Sequence, residues 1–139
     1  MRIQPAILLL LTLPVLPLPA EPTLIAHREI PSLDPRTVDR IYTGKVIEVN
    51  GIRITPVNLP PGNPLRERFL RICLAQDEER YTGYWTVRRY VGKGIPPREL
   101  PSSAEVVRFV AQTAGAIGYV DSGDIEPGAD IRLLPFQAP

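Results

Sequence analysis

The pattern of apolar residues is clearest in the middle of the chain, just after a turn rich in Pro and Gly. Four apolar positions there follow the helical spacing i, i+4, i+7 and i+8, namely Leu65, Phe69, Ile72 and Cys73. This spacing predicts one buried face of an amphipathic helix. Asn63 is suited to the N-cap and Pro64 to the first helical position, where its missing N–H costs least. The sequence therefore predicts a strand ending near Val57, a turn at 60–62 and a helix from Pro64.

The segment before this turn carries signals for a strand, a helix and a hairpin. The run 23–26 is short, apolar and β-prone, which predicts the first strand. Asp34 followed by Pro35 predicts the start of a helix that ends before Gly44. Asn50-Gly51 between two β-prone runs predicts a hairpin. We expect its second arm, residues 52–57, to return antiparallel.

The segment after the turn predicts two further helices and two strands. Asp77 is suited to cap a third helix, and 102–105 has the form of a capping box that opens a fourth. The run 116–120 predicts a short buried strand, and 131–134 predicts an edge strand. Three aromatic residues share one side of the third helix: Tyr81, Tyr84 and Trp85. An aromatic stripe at helical spacing packs in a core more often than it binds a ligand, so we favour core packing.

The N-terminus has the features of a cleaved signal peptide. Arg2 precedes an apolar run at 6–13, and Leu-Pro-Ala at 18–20 precedes the expected cleavage after Ala20. The alternative is a membrane anchor, but three prolines interrupt the apolar run well short of the about 20 residues that a span needs. We therefore predict a signal peptide at 1–20, a single domain at 21–139 and no stable membrane anchor.

Charge and composition argue against several classes of function. Without Arg2 the chain has equal numbers of basic and acidic residues, so the basic surface of a general nucleic-acid binder is not expected. Cys73 is the one cysteine and His27 the one histidine, and no spacing indicates a metal site. No nucleophile–base order or carboxylate pair stands out either. We predict no catalytic residues, no metal, no cofactor and no enzymatic activity.

The predicted strand–turn–helix junction is the best candidate for an anion site. A helix start directs backbone N–H groups and a positive dipole end at the space in front of it. The candidate residues at the junction are Gly62, Asn63, Leu65 and Arg66. The pattern leaves open whether Arg66 projects outward. A second glycine-rich loop at 92–94 adds Lys93 and Gly94 as weaker candidates, because its spacing lacks the longer phosphate-loop signature.

Three segments together resemble a known family. They are IYTGK at 41–45, the junction at 57–69 and TAGAIGYV at 113–120. In this order the chain resembles the phosphate-type periplasmic substrate-binding proteins, and more closely the small single-lobe proteins related to phosphate ABC transporter binding proteins. The resemblance implies an α/β fold: a single lobe of a type II periplasmic-binding-protein fold, with a mixed β-sheet flanked by helices. It also implies a periplasmic location.

The resemblance implies phosphate or another small anion as the ligand, but the junction departs from the family pattern. Full-length members close two lobes on phosphate, and this chain has room for one. Family members carry an Arg, an Asp and a Ser-Gly-Thr run at the junction. Residues 58–65 here contain no hydroxyl, no Arg precedes the turn, and Pro64 supplies no N–H. We therefore expect weak anion binding, or binding only with a partner.

Two functional hypotheses follow from the sequence. The first is a periplasmic substrate-binding-like module that binds an anion weakly or together with a second lobe, supplied by a partner protein or by self-association. The second is an interaction module that has lost the ligand and uses its cleft face to bind another protein. Exposed apolar residues around 62–65 and 92–97 would favour the second hypothesis.

Overall fold

The computed structural model describes residue 2, residues 11–16 and residues 21–135. Most of the predicted signal peptide, including the expected cleavage position at Ala20, lies outside the described residues, as do residues 136–139. Of the single domain predicted at 21–139, the structure therefore describes residues 21–135.

Strands and helices are interspersed along the described chain. The strands are β1 (Pro22–His27), β2 (Glu48–Val49), β3 (Ile52–Arg53), β4 (Thr55–Asn58), β5 (Arg98–Glu99), β6 (Ala116–Asp121) and β7 (Ile131–Leu134). The helices are α1 (Pro35–Tyr42), α2 (Pro64–Leu74), α3 (Glu78–Tyr90) and α4 (Ser103–Gln112). A short 3-10 turn at Ser122–Asp124 follows β6. The order confirms the predicted α/β class.

Five of the strands form one mixed sheet in the order β5-β4-β6-β1-β7. β4 pairs in parallel with both β5 and β6, whereas β1 is antiparallel to β6 and β7. The carboxyl ends of β4, β5 and β6 therefore meet at one edge of the sheet. In open α/β sheets this edge is where ligand crevices form, so it defines the place to look for a site.

Helices cover both faces of the sheet. On one face, Val106 and Val110 of α4 pack against Gly118 of β6, which has no side chain to keep them away. On the other face, Phe69 of α2 stacks on Tyr119 of β6 with ring centroids 3.9 Å apart. Tyr42 of α1 meets the edge of Phe69 at 4.7 Å. Alternate residues of β6 thus face opposite layers, as strand geometry requires.

The predicted helix starts are confirmed because each depends on a contact within one turn. Asp34 Oδ1 accepts a hydrogen bond from Thr37 N at 2.7 Å, and Asp77 Oδ1 accepts one from Arg80 N at 2.8 Å. Ser102 Oγ accepts one from Glu105 N at 3.3 Å. These caps satisfy amide groups that have no partner inside the helix.

The predicted hairpin is shorter than the sequence suggested. Asn50 and Gly51 both have positive φ, of 48° and 78°, but only β2 and β3, two residues each, pair antiparallel. The prediction that 52–57 continues the antiparallel arm is wrong, because Thr55–Asn58 leaves it to pair in parallel with β6 and β5. Val57 is fully buried in this position. Burial in the main sheet outweighs the local turn signal.

Two glycine substitutions are expected to change stability in opposite directions. A Cβ on Gly118 would lie 2.6 Å from Val106 Cγ1 and 3.1 Å from Val57 Cγ2. Gly118→Ala is therefore expected to lower the free energy of unfolding by about 1–3 kcal/mol through overpacking. Gly83 lies inside α3 with open space around its Cα, so Gly83→Ala is expected to raise that free energy by up to about 1 kcal/mol. Urea denaturation measures both, and a Gly118→Ala protein as stable as the parent would contradict this packing.

Candidate functional site

A groove lies beside the sheet edge where β4 and β5 end. We call it the cleft groove; its volume is about 200 Å³ and it is open to solvent. Its lining residues are Pro61, Arg66, Tyr81, Thr82, Trp85, Thr86, Arg89, Pro96 and Glu99. The turn after β4, the first turn of α2 and one side of α3 supply most of this surface. Pro61 and Arg66 of the predicted strand–turn–helix junction thus line the cleft groove, whereas Gly62, Asn63 and Leu65 do not.

The start of α2 is capped by its own residues. Asn63 Oδ1 accepts hydrogen bonds from Leu65 N at 2.8 Å and from Arg66 N at 3.4 Å. Glu67 N donates to Asn63 O at 3.2 Å, and Pro64 has no N–H. The amide groups that would face an anion at this helix start are thus already engaged.

Arg66 projects inward, and its side chain is only 4% exposed. Its Nε donates to Glu78 Oε2 at 2.8 Å and its Nη2 donates to Glu78 Oε1 at 2.7 Å. Nη1 donates to the Leu59 carbonyl at 2.9 Å and to Glu99 Oε1 at 3.3 Å. The guanidinium therefore joins the turn after β4, α2, the start of α3 and the end of β5.

Arg66 carries one positive charge and is paired with two carboxylates, Glu78 and Glu99. Burial lowers the pKa of Arg66, but the hydrogen bonds and charge of Glu78 outweigh burial and raise that pKa above its ordinary value. Glu99 makes the second ion pair, and its side chain is 49% exposed. One buried cation thus faces two carboxylates, so an added anion would meet no free positive charge at Arg66.

A chain of buried hydrogen bonds lies beneath the cleft groove. Tyr119 Oη donates to Asn58 Oδ1 at 2.7 Å, and Asn58 Nδ2 donates to Tyr81 Oη at 3.2 Å. Leu59 N donates to Tyr119 Oη at 3.1 Å. The chain ties the carboxyl end of β4 to β6 and to α3. It satisfies the buried amide of Asn58, which would otherwise carry a large desolvation cost.

The chain continues from α3 to the end of α1. Tyr81 Oη donates to the Tyr42 carbonyl at 3.0 Å, and Trp85 Nε1 donates to the same oxygen at 3.2 Å. Tyr42 Oη in turn donates to the Val57 carbonyl at 3.0 Å. Burial raises the pKa of Tyr81 to about 12 and also raises that of Tyr119. These hydroxyls stay protonated at neutral pH and act as structural hydrogen-bonding groups.

The predicted site residues fall into two separate groups. Asn63, Leu65 and Arg66 meet at the start of α2, and Gly62 lies in the exposed turn before it with φ of 88°. Lys93 and Gly94 are exposed in the loop that follows the C-terminal end of α3. Lys93 N donates to the Arg88 carbonyl at 2.8 Å, which folds this loop onto the helix.

Sequence reasoning missed the partners of Arg66. Glu78 lies in the acidic first turn of α3 and Glu99 at the end of β5, and nothing in the local pattern marks either as a partner of Arg66. Twelve residues separate Arg66 from Glu78 and 33 separate it from Glu99, so no helical or strand period connects them. The one available signal was the acidic start of α3 beside an arginine-rich helix.

The described residues contain no group of three or more His, Cys, Asp or Glu side chains placed to hold a metal ion. His27 is buried at the end of β1, and its Nδ1 lies 3.8 Å from Glu29 Oε2. Cys73 is buried on α2, and burial raises the pKa of its thiol to about 12. None of the helices in the described part of the chain is long and apolar enough to cross a membrane.

Comparison with known proteins gives a relationship in fold. No family model and no curated protein matches the sequence. Among solved structures, an ABC-type phosphate transport receptor from Vibrio cholerae aligns with a TM-score of 0.62 and 12% identity, over 83% of this chain and 45% of that chain.

Two further solved structures show the same partial match. One is described as a phosphate ABC transporter substrate-binding protein from Clostridium perfringens with bound phosphate; its TM-score is 0.61 and its identity 20%, over 83% of this chain and 44% of that chain. The other is PstS from Borrelia burgdorferi, with a TM-score of 0.61 and 16% identity over 83% of this chain and 46% of that chain. The fold is thus that of a single lobe of a substrate-binding protein, as predicted. The Vibrio cholerae and Clostridium perfringens proteins are described by transport or binding roles, and this chain spans about 45% of the length of each of the three structures.

Proposed function

We propose that this chain is an exported, periplasmic substrate-binding-like module, related to phosphate ABC transporter binding proteins, whose cleft face contacts a second lobe. The fold, which is shared with part of each of these longer proteins, supports this proposal. The chain alone binds an anion weakly at most. It acts in recognition and transport, and it is not an enzyme.

The observation that carries the proposal is the internal use of the donor groups at the cleft. Asn63 caps the amides of α2, and Glu78 accepts hydrogen bonds from Nε and Nη2 of Arg66. An anion that binds in the cleft groove therefore has to displace a carboxylate or find its donors on another surface. A second lobe is the surface that this fold faces in longer binding proteins.

Exposed apolar residues at the end of α3 and in the loop after it form a suitable contact surface. Val87, Tyr90 and Val91 share one face at the end of α3 and are 64%, 91% and 55% exposed, and Ile95 in the next loop is 75% exposed. We call these four residues the α3 apolar patch. None of the patch residues lines the cleft groove, which uses Tyr81, Trp85 and Arg89 on another side of α3, so the patch is a separate contact surface. Apolar residues grouped in this way indicate a protein contact. We assign the patch to contact with a second lobe of this fold. A second copy of this chain is the second lobe that can be tested directly.

A second candidate function is anion binding between two such lobes. Arg89 lines the cleft groove and is exposed, and Arg66 becomes a second cation on the same wall only when the anion displaces Glu78. Phosphate is the first anion to test, because phosphate is bound in the Clostridium perfringens neighbour. In this case phosphate strengthens the association of the two lobes, whereas in the ligand-free case it has no effect.

Sedimentation velocity of the purified chain tests the contact surface. We expect a concentration-dependent dimer with a Kd of about 10 µM, tightened by phosphate only if the second candidate holds. The double substitution Tyr90→Ser and Val91→Ser is expected to weaken the dimer at least about tenfold. Leu133→Ser is the matched control, because Leu133 is also exposed, at 56%, but lies on β7 at the opposite edge of the sheet.

A chain that stays monomeric up to about 1 mM contradicts the assignment of the patch to a second copy. Equal weakening by Leu133→Ser and by the patch variant contradicts the location of the contact.

Export is tested separately by the N-terminus of the protein recovered from cells. The periplasmic fraction is expected to contain a chain that begins at Glu21, since the predicted cleavage follows Ala20. A chain lacking 2–20 is expected to stay in the cytoplasm. Recovery of the intact 139-residue chain in the membrane fraction would instead support the anchor interpretation.

A further inference from the structure

The contact between Arg66 and Glu78 has the geometry of ligand recognition. Nε and Nη2 of Arg66 donate two parallel hydrogen bonds, of 2.8 and 2.7 Å, to the two carboxylate oxygens of Glu78. This fork arrangement is how arginine binds carboxylates and phosphates, and its planar shape fixes where the two oxygens lie. The Arg66 side chain is 4% exposed, so its surroundings hold the fork in place.

A hydroxyl completes the set of donors around the same carboxylate. Thr82 Oγ1, one helical turn beyond Glu78 on α3, donates to Glu78 Oε1 at 2.9 Å. Glu78 Oε1 thus accepts from a guanidinium and a hydroxyl, while Oε2 accepts from the guanidinium. Thr82 and Arg66 both line the cleft groove, so these donors are adjacent to a space that opens to solvent.

We propose that the Glu78 carboxylate occupies an oxyanion site formed by the Arg66 fork and the Thr82 hydroxyl. The ligand class is a small oxyanion with two acceptor oxygens, such as a carboxylate or phosphate. The chain fills this site with its own side chain, which stabilises the buried guanidinium and excludes external anions. Glu99 adds a second negative charge at 3.3 Å from Arg66 Nη1 and strengthens the exclusion.

The start of α3 does not depend on the side chain of Glu78. Glu78 is the first residue of α3, and the helix start is capped by Asp77 through the Arg80 amide. Glu78→Ala therefore retains the cap and a good helix former, while it leaves the Arg66 fork facing the cleft groove. All the groups involved belong to one chain. The site is thus independent of a second lobe, and a strictly monomeric protein can still show it.

Rescue by small anions tests the assignment. In Glu78→Ala, formate, acetate and phosphate are expected to bind with a Kd of about 1 mM, at least about tenfold tighter than to the parent chain. At about ten times that Kd the melting temperature is expected to rise by about 5 °C over chloride at equal ionic strength. The parent chain is expected to show no such rise. Calorimetry and thermal melting measure the two effects.

Two controls locate the effect. Glu79→Ala removes the neighbouring glutamate, which is exposed, and is expected to respond to the anions as the parent chain does. Glu78→Ala combined with Arg66→Met removes the fork and is expected to lose the rescue. Equal anion responses in Glu78→Ala and Glu79→Ala, or a rescue that survives in the double variant, would overturn the proposal.

If Glu78→Ala does not fold, Glu78→Gln decides the question. Glutamine has the same shape without the charge, and phosphate is then expected to shift the NMR signal of the Arg66 Nε–H group. The same signal in the parent chain is expected to stay unmoved. An unmoved signal in Glu78→Gln at about 10 mM phosphate would overturn the proposal.

Discussion

The buried guanidinium of Arg66 is the interaction on which the cleft side of this structure depends. It contacts the Leu59 carbonyl after β4, Glu78 at the start of α3 and Glu99 at the end of β5. A buried cation without partners is far more costly than a buried apolar residue, so these contacts constrain where each element lies. Only Tyr81 and Trp85 of α3 are buried in the core. The position of α3 therefore depends on the contacts of Arg66 and on the hydrogen bonds from Tyr81 and Trp85 to the Tyr42 carbonyl.

The same interaction decides how the chain can work. In this chain Arg66, in the first turn of α2, lies at the cleft groove, and a helix start with an arginine suits anion binding. Here Asn63 caps the start of α2 and Glu78 accepts hydrogen bonds from Arg66. The hydrogen-bond donors at the start of α2 are therefore already engaged within the chain. The α3 apolar patch lies on another side of α3. The proposed contact with a second lobe would use these exposed apolar side chains, and anion binding at Arg66 would require displacement of Glu78.

Local signals in the sequence predicted the helices well, and contacts between distant segments were not predicted. The caps at Asp34 and Asn63 were readable because each acts within three residues. The Asn50-Gly51 turn was also correct, but burial of Val57 in the main sheet shortened the hairpin. The inward orientation of Arg66 depends on a partner twelve residues away on another helix. No pattern within one element carries that information, so Arg66 was predicted as a site residue but its pairing with Glu78 and Glu99 was not.

A double-mutant cycle between Arg66 and Glu78, measured by urea denaturation, tests the central claim most directly. Arg66→Met, Glu78→Gln and the combined variant are expected to show a coupling energy of about 1–3 kcal/mol. The exposed pair Arg108–Glu105, with a comparable distance of 2.8 Å, is the control and is expected to couple by less than about 0.5 kcal/mol. Effects of Arg66→Met and Glu78→Gln that add to within about 0.5 kcal/mol would contradict the account.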